Sequence, residues 1–218
     1  MIIKRVLIFF GIFLVSLPIL AENKTKIVAT KINIYQPDSS SSYIRSQKGF
    51  CWTRSLAVAR DDAWRCMVAS RIFDPCFTIP SQDQNTLLCD IDPVENRIGF
   101  LLKLTEPLPE VTEIVPEGDY KGKLETKRES DTVWIVKLED DRVCYPYTGT
   151  LPIVKRGREL IGVRYGCEAT KDGKMVGLLT EFITSGKIWR AKKVTYLSDG
   201  SETKNLKIQM VKVKEVWK

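Results

Sequence analysis

The sequence predicts a mainly β protein, an antiparallel sandwich or a small barrel, with one short helix in a disulfide-rich N-terminal segment. From residue 97 onward, short runs rich in Val, Ile, Leu, Tyr and Trp alternate with turn residues. Asp172-Gly173 and Asp199-Gly200 are pairs that tolerate positive φ in tight hairpins, and Asp140-Asp141 predicts a further turn. Four of the six cysteines fall within residues 49–92, a segment too short to bury a large core of its own.

The first 21 residues have the three parts of a secretory signal peptide. Lys4 and Arg5 precede the uncharged run 6–20, and Ala21 precedes a polar run that begins at Glu22. The apolar run is shorter than the roughly 20 residues that span a bilayer. We therefore expect cleavage after Ala21 and a secreted or periplasmic protein; the alternative is an uncleaved membrane anchor.

The remaining chain divides into three parts by composition. Residues 22–48 form an extended or linker segment, with one short strand at 31–35. Residues 49–118 form the cysteine-rich segment, and residues 119–218 form an antiparallel β region with basic C-terminal strands. The short helix is expected to begin at Asp61 or Asp62 as N-cap and to run through Ala69.

The β region is expected to contain short strands in succession. The last of them alternates Leu206, Ile208 and Met210 and then changes phase to Val211 and Val213, which predicts a β-bulge or a strand partly buried on both faces. The predicted strands are residues 97–104, 132–138, 142–145, 160–165, 175–183, 187–197 and 206–217.

The cysteines are expected to form three disulfides, because their number is even and the chain is predicted to be exported. Zinc is disfavoured, since the chain has no histidine and no Cys-x-x-Cys spacing, and no metal or cofactor is predicted. Six cysteines allow fifteen pairings. Sequence proximity favours three of these, although cross-pairing among the first four cysteines stays open: Cys51–Cys66, Cys76–Cys89 and Cys144–Cys167.

Positive charge is concentrated at the C-terminal end. The formal net charge is +7, and the residues from Lys187 onward include nine basic and three acidic side chains. Such a surface suits an acidic protein, a lipid head group or a polysaccharide. The alternative is that the lysines protect sheet edges and keep the protein soluble. Nucleic acid is disfavoured by the compartment and by the lack of interleaved aromatic residues. The binding residues expected to share one strand face are Lys192, Lys207, Lys212 and Lys214.

Catalysis has little support in the sequence. Without histidine there is no Ser-His-Asp or Cys-His site, and Ser55 lacks a base. Asp62 beside Trp64, or Asp74, would suit a glycan hydrolase, but such residues more often cap helices and form turns or ion pairs. Asp90-Ile91-Asp92 has only part of the pattern of a calcium loop.

Several short motifs built on cysteine and tryptophan are spread along the chain. They are Cys51-Trp52-Thr53, Asp62-Ala63-Trp64-Arg65-Cys66-Met67, Asp74-Pro75-Cys76-Phe77, Cys144, Thr148-Gly149, Tyr165-Gly166-Cys167, Trp189 and Trp217. Together they resemble a family of uncharacterised secreted bacterial proteins, common in actinobacteria. The resemblance covers about residues 49–217 and implies export and disulfides, but it brings no established activity or site residues.

The sequence therefore predicts an exported, disulfide-stabilised binding protein whose basic C-terminal part recognises an acidic surface or glycan. One alternative is a histidine-free hydrolase of envelope or host glycans that uses carboxylates. Another is a structural protein of the envelope. Of these classes, an enzyme is disfavoured.

Overall fold

The computed structural model describes residues 28–37, 45–80, 82–110, 133–197 and 206–218, and within these ranges it contains fourteen strands and no helix. The mainly β class is therefore confirmed. The predicted signal peptide at 1–21 and the predicted turn at Asp199-Gly200 lie outside the described residues. No membrane-spanning helix occurs among the residues that the structure describes.

After β1 (Lys31–Asn33), five strands close into a first barrel. Neighbours along the chain pair antiparallel, and the fifth strand returns to pair with the first in parallel. Trp64, Phe100 and Leu102 are buried inside it together with four cysteines. The strands are β2 (Ser46–Arg54), β3 (Ala63–Val68), β4 (Arg71–Thr78), β5 (Thr86–Cys89) and β6 (Phe100–Leu104).

The prediction of a helix from Asp61 or Asp62 through Ala69 is wrong. These residues contain β3, which is paired on both edges, with β2 and with β4. Ala69 and Ser70 have φ values of 47° and 64° and form the turn that leads into β4. A helix this short is marginal on its own, whereas the strand gains hydrogen bonds along both edges and buries Trp64 in the core.

The second barrel is built from the C-terminal half of the chain. Six of its strands follow one another in the order β7, β8, β11, β12, β13 and β14, and they close because β14 also pairs with β7. β1 adds to β14 in parallel, and β9 and β10 form a separate hairpin. The strands are β7 (Ile135–Leu138), β8 (Val143–Pro146), β9 (Ile153–Arg156), β10 (Glu159–Gly162), β11 (Tyr165–Cys167), β12 (Met175–Ile183), β13 (Arg190–Tyr196) and β14 (Ile208–Trp217).

Two sequence predictions for this barrel differ in detail from the structure. The single strand expected at 160–165 is divided between β10 and β11. The irregularity expected in the last strand is present a few residues later, between Val213 and Glu215, where β14 pairs with Leu138 and Lys137 of β7. The register shift lets β14 pair with β13 over its first half and with β7 over its second.

All three disulfides join residues that lie directly opposite each other in neighbouring antiparallel strands. The pairing expected from sequence proximity is confirmed, and Cα–Cα distances are 3.9–4.3 Å. The Sγ atoms of Cys66, Cys76 and Cys89 lie within 4.8 Å of one another. All three are in disulfides, so none is the thiolate that a metal ion requires. Three disulfides are typical of an oxidising compartment and agree with the expected export.

The two barrels contact each other through an aromatic cluster. The rings of Tyr35 and Phe77 lie 5.5 and 5.3 Å from that of Trp134, which follows the long connection between the barrels. Arg65 of β3 also donates to the carbonyl of Thr148, and Arg164 donates to the carbonyl of Leu56 at 3.3 Å. The second barrel and its surfaces are thus anchored on the first.

Candidate binding surface

The outer face of β13 and β14 carries most of the lysines that the sequence predicts to be binding residues. Arg190 lies opposite Lys212, and Lys192 lies opposite Met210. Residues directly opposite each other point to the same side of a sheet, and every second residue along a strand does so too. Arg190, Lys192, Lys212 and Lys214 therefore share one face, which we call the basic face.

The opposite face of the same two strands points into the barrel. Ala191 and Val213 are buried there, and Val211 packs against the same cluster. Lys207 is exposed and lies just before β14, beside Ile208. By the alternation of the strand it lies on the opposite side from Lys212 and Lys214, so it is not part of the basic face. Arg190 was not among the predicted binding residues, because its place opposite Lys212 depends on a register that the sequence does not reveal.

An acidic turn borders the basic face. Glu139 and Asp141, between β7 and β8, pair with Lys212 at 3.5 Å and with Lys214 at 2.7 Å. The hydrogen bond between Lys214 and Asp141 lowers the pKa of that carboxyl and raises the pKa of the lysine. Exposed ion pairs of this kind contribute little to stability and are screened by salt, so an anionic partner can compete with the turn for these lysines.

The β9–β10 hairpin covers the other end of this outer face. Val154 and Ile161, opposite each other in the hairpin, pack on a cluster that includes Val194 and Ile208. Val194 lies opposite Ile208, and Met210 is the next residue of β14 on the same side. The face is therefore apolar beneath the hairpin and becomes basic beyond Met210.

The hairpin itself is a feature that sequence reasoning missed. Its two-residue turn is Gly157-Arg158, and Gly157 has φ of 61°, the value that the first central position of a type II′ turn requires. A Gly-x pair between two apolar runs was the available signal. The tip carries the exposed residues Lys155, Arg156 and Arg158.

Asp74, a candidate catalytic acid, is buried in the first barrel. Its carboxylate accepts hydrogen bonds from Ser55 Oγ at 2.5 Å, from the Leu56 backbone N–H at 3.1 Å and from Arg65 at 3.0 Å. Burial raises the pKa of Asp74, and these hydrogen bonds oppose that shift. With a side chain only 1% exposed, Asp74 holds the loop after β2 and offers no open carboxylate to a substrate.

The neighbouring candidates also have structural partners. Asp62 forms a two-point pair with Arg60 at 2.5 and 2.8 Å. Trp64 is buried, and the guanidinium of Arg54 lies 3.9 Å from the centre of its indole ring. Asp62 and Trp64 therefore do not form the exposed carboxylate and aromatic platform that a sugar would need.

The acidic segment at Asp90-Ile91-Asp92 is neutralised from within the protein. Arg97 pairs with Asp90 at 2.9 Å, with Glu95 at 3.2 Å and with Asp92 at 3.5 Å. Asp92 is buried and accepts hydrogen bonds from two backbone N–H groups of the turn that follows it. Arg45 lies 4.0 Å from Asp90 as well, so two guanidinium groups together supply the two positive charges that a calcium ion would bring.

Comparison with known proteins adds no relative. No protein-family model, curated protein or solved structure matches this chain. The resemblance to a secreted bacterial family stays a prediction.

Proposed function

We propose that this chain is an exported, disulfide-stabilised binding protein that recognises an anionic partner through its basic face. The observation that carries the proposal is the register of β13 and β14, which gives Arg190, Lys192, Lys212 and Lys214 one outer side. A surface with several cations attracts anions over about a Debye length, roughly 8–10 Å at physiological salt.

The scaffold supports a binding role. Each barrel is closed and carries at least one disulfide, so the face is presented on paired strands and not on a loop. Rigid presentation lowers the entropy that is lost when a partner binds. The candidate carboxylates of the hydrolase alternative, Asp62 and Asp74, are already engaged by arginines.

Chromatography of the exported protein on immobilised dextran sulfate tests the proposal. The variant Arg190→Glu/Lys212→Glu/Lys214→Glu should elute at clearly lower salt than the wild type. The matched control is Lys48→Glu/Lys103→Glu/Lys171→Glu, which makes the same change of net charge on exposed lysines away from the basic face. Equal shifts for the two variants would contradict a specific site, because net charge alone would then explain retention.

A further inference from the structure

We propose that the β9–β10 hairpin docks the protein on an anionic phospholipid bilayer. In this arrangement Ile153 and Leu160 enter the interfacial region, and the basic tip contacts the head-group phosphates. The inference rests on the proposed function, since it names the anionic partner of the protein as a lipid surface.

The two sides of the hairpin differ in what they contact. Val154 and Ile161 face the barrel and pack on its outer cluster. Ile153 and Leu160 point the other way and are 60% and 67% exposed, which makes them among the most exposed large apolar residues that the structure describes. Gly162 lies opposite Ile153 and has no side chain that could shield Ile153 from solvent.

The register brings these two apolar residues together. Ile153 pairs with Gly162, and Leu160 pairs with Lys155, so all four lie on the same side of the hairpin. Ile153 and Leu160 are therefore diagonal neighbours, at a spacing of about 7–8 Å between backbones. They form one small apolar patch at the outermost layer of this side of the barrel.

The hairpin tip is basic, and Glu159 is the one acidic residue within the hairpin itself. Within the described residues, no ion pair involves Lys155, Arg156 or Arg158, in contrast to Lys212 and Lys214 on the basic face. Apolar side chains that enter the interface and basic side chains that reach anionic head groups are the two components of interfacial membrane binding.

The position of the hairpin allows the basic face to contribute to membrane binding. The hairpin lies on the outer face of the sheet, and packed layers are about 10 Å apart, so a bilayer that touches the hairpin lies about one layer above the lysines. That distance is close to the Debye length at physiological salt. Arg190 and Lys212 would therefore still be attracted to the lipid surface.

A lipid surface fits this patch better than the other anionic partners. A polysaccharide can pair with the cations but has no hydrocarbon layer that Ile153 and Leu160 could enter. A typical protein partner needs about 800 Å² on each side, and a hairpin of four-residue strands is only about 14 Å long. Binding to a bilayer requires only a few apolar and basic side chains that reach its interface.

Vesicle flotation with the exported protein tests the inference, using phosphatidylcholine vesicles with and without phosphatidylglycerol. We expect binding only to the anionic vesicles, weakening as salt is raised. Ile153→Ser/Leu160→Ser should weaken it about tenfold or more, because the apolar contribution is lost. Lys155→Gln/Arg158→Gln should weaken it about 25-fold, at roughly fivefold for each cation. The matched control is Ile72→Ser/Ile98→Ser, at exposed apolar residues of the first barrel.

Parallel elution from dextran sulfate separates this inference from the proposed function. Ile153→Ser/Leu160→Ser should keep its retention on dextran sulfate while losing vesicle binding. A wild type that binds dextran sulfate and ignores anionic vesicles would overturn lipid docking and leave a polysaccharide or an acidic protein as the partner. Equal vesicle binding by the serine variant and the wild type would also overturn it. Failure to bind either material would overturn both proposals.

Discussion

The hydroxyl of Tyr145 donates a 2.5 Å hydrogen bond to the carboxylate of Asp92, which joins β8 of the second barrel to the turn after β5 of the first. Asp92 is buried, and the same carboxylate accepts the backbone N–H groups of Val94 and Glu95. Burial and the neighbouring carboxylate raise the pKa of Tyr145, so this phenol stays a donor throughout the physiological range. This hydrogen bond therefore adds to the aromatic cluster as a contact between the two barrels.

Tyr145→Phe should lower the free energy of unfolding by about 1.5–3 kcal/mol, as expected for loss of a hydrogen bond to a charged group. Urea unfolding followed by tryptophan fluorescence measures the loss. Tyr147→Phe is the matched control, because its hydroxyl has only a 3.3 Å contact with that of Tyr196. Similar losses in the two variants would contradict a special role for the Tyr145–Asp92 contact.

Gly49→Ala should destabilise the first barrel by about 1–3 kcal/mol through overpacking. A Cβ at Gly49 would lie 2.2 Å from the carbonyl oxygen of Met67, a backbone atom held in β3, and 3.0 Å from a methyl of Val68. Gly149→Ala is the control, since nothing lies within 4 Å of its Cβ position. Thermal unfolding of both variants checks the difference, and an unchanged midpoint for Gly49→Ala would show that β2 and β3 can separate without cost.

The sequence predicted correctly those features that depend on residues close to one another in the chain. The strand at Met175–Ile183 has the bounds that its apolar run predicts. Disulfide pairing by proximity succeeded because consecutive cysteines lie in strands that end up as direct neighbours. The turn at Asp172-Gly173 also follows from local chemistry, with Gly173 at a φ of 79°.

Long-range pairing explains what the sequence did not reveal. A helix and a strand compete at Ala63–Val68, and only the hydrogen bonds to β2 and β4 decide between them. The place of Arg190 opposite Lys212, and of Ile153 beside Leu160, depends on register. The acidic turn at 139–141 is far in sequence from the lysines that it neutralises, so charge counting along the chain overlooked it.

Lys214→Gln should raise the pKa of Asp141 towards its ordinary value, because the hydrogen bond and the charge of Lys214 hold it down. For a lowered carboxyl pKa, the stabilisation is present above the ordinary value of 3.8 and is lost as pH falls through the folded-state pKa. Carbon-detected NMR titration of the carboxyl groups measures the pKa of Asp141 in the variant and in the wild type. Asp172 is an internal control, since Lys174 and Thr170 hold its pKa at about 2, and it should not respond. An unmoved Asp141 would mean that Lys137, its other partner, suffices.

Alkaline pH should destabilise the protein through Tyr165. Its hydroxyl is buried and donates to the carbonyl of Val133 at 2.8 Å, and burial raises its pKa from 10.0 to about 12. Between these values the unfolded chain has lost the proton and the folded protein retains it. The folded state therefore binds more protons, and stability falls as pH rises. Two pKa units correspond to roughly 2–3 kcal/mol.

Urea unfolding at pH 8 and at several values above pH 10 tests this dependence. Tyr165→Phe should cost about 1 kcal/mol at pH 8 for the lost hydrogen bond. Its stability should then fall less steeply than that of the wild type as pH rises above 10. A residual slope is expected, because the pKa values of Tyr145 and Tyr196 are also raised. Parallel curves for variant and wild type would mean that the Tyr165 phenol ionises alike in the folded and unfolded chains, and that burial does not raise its pKa.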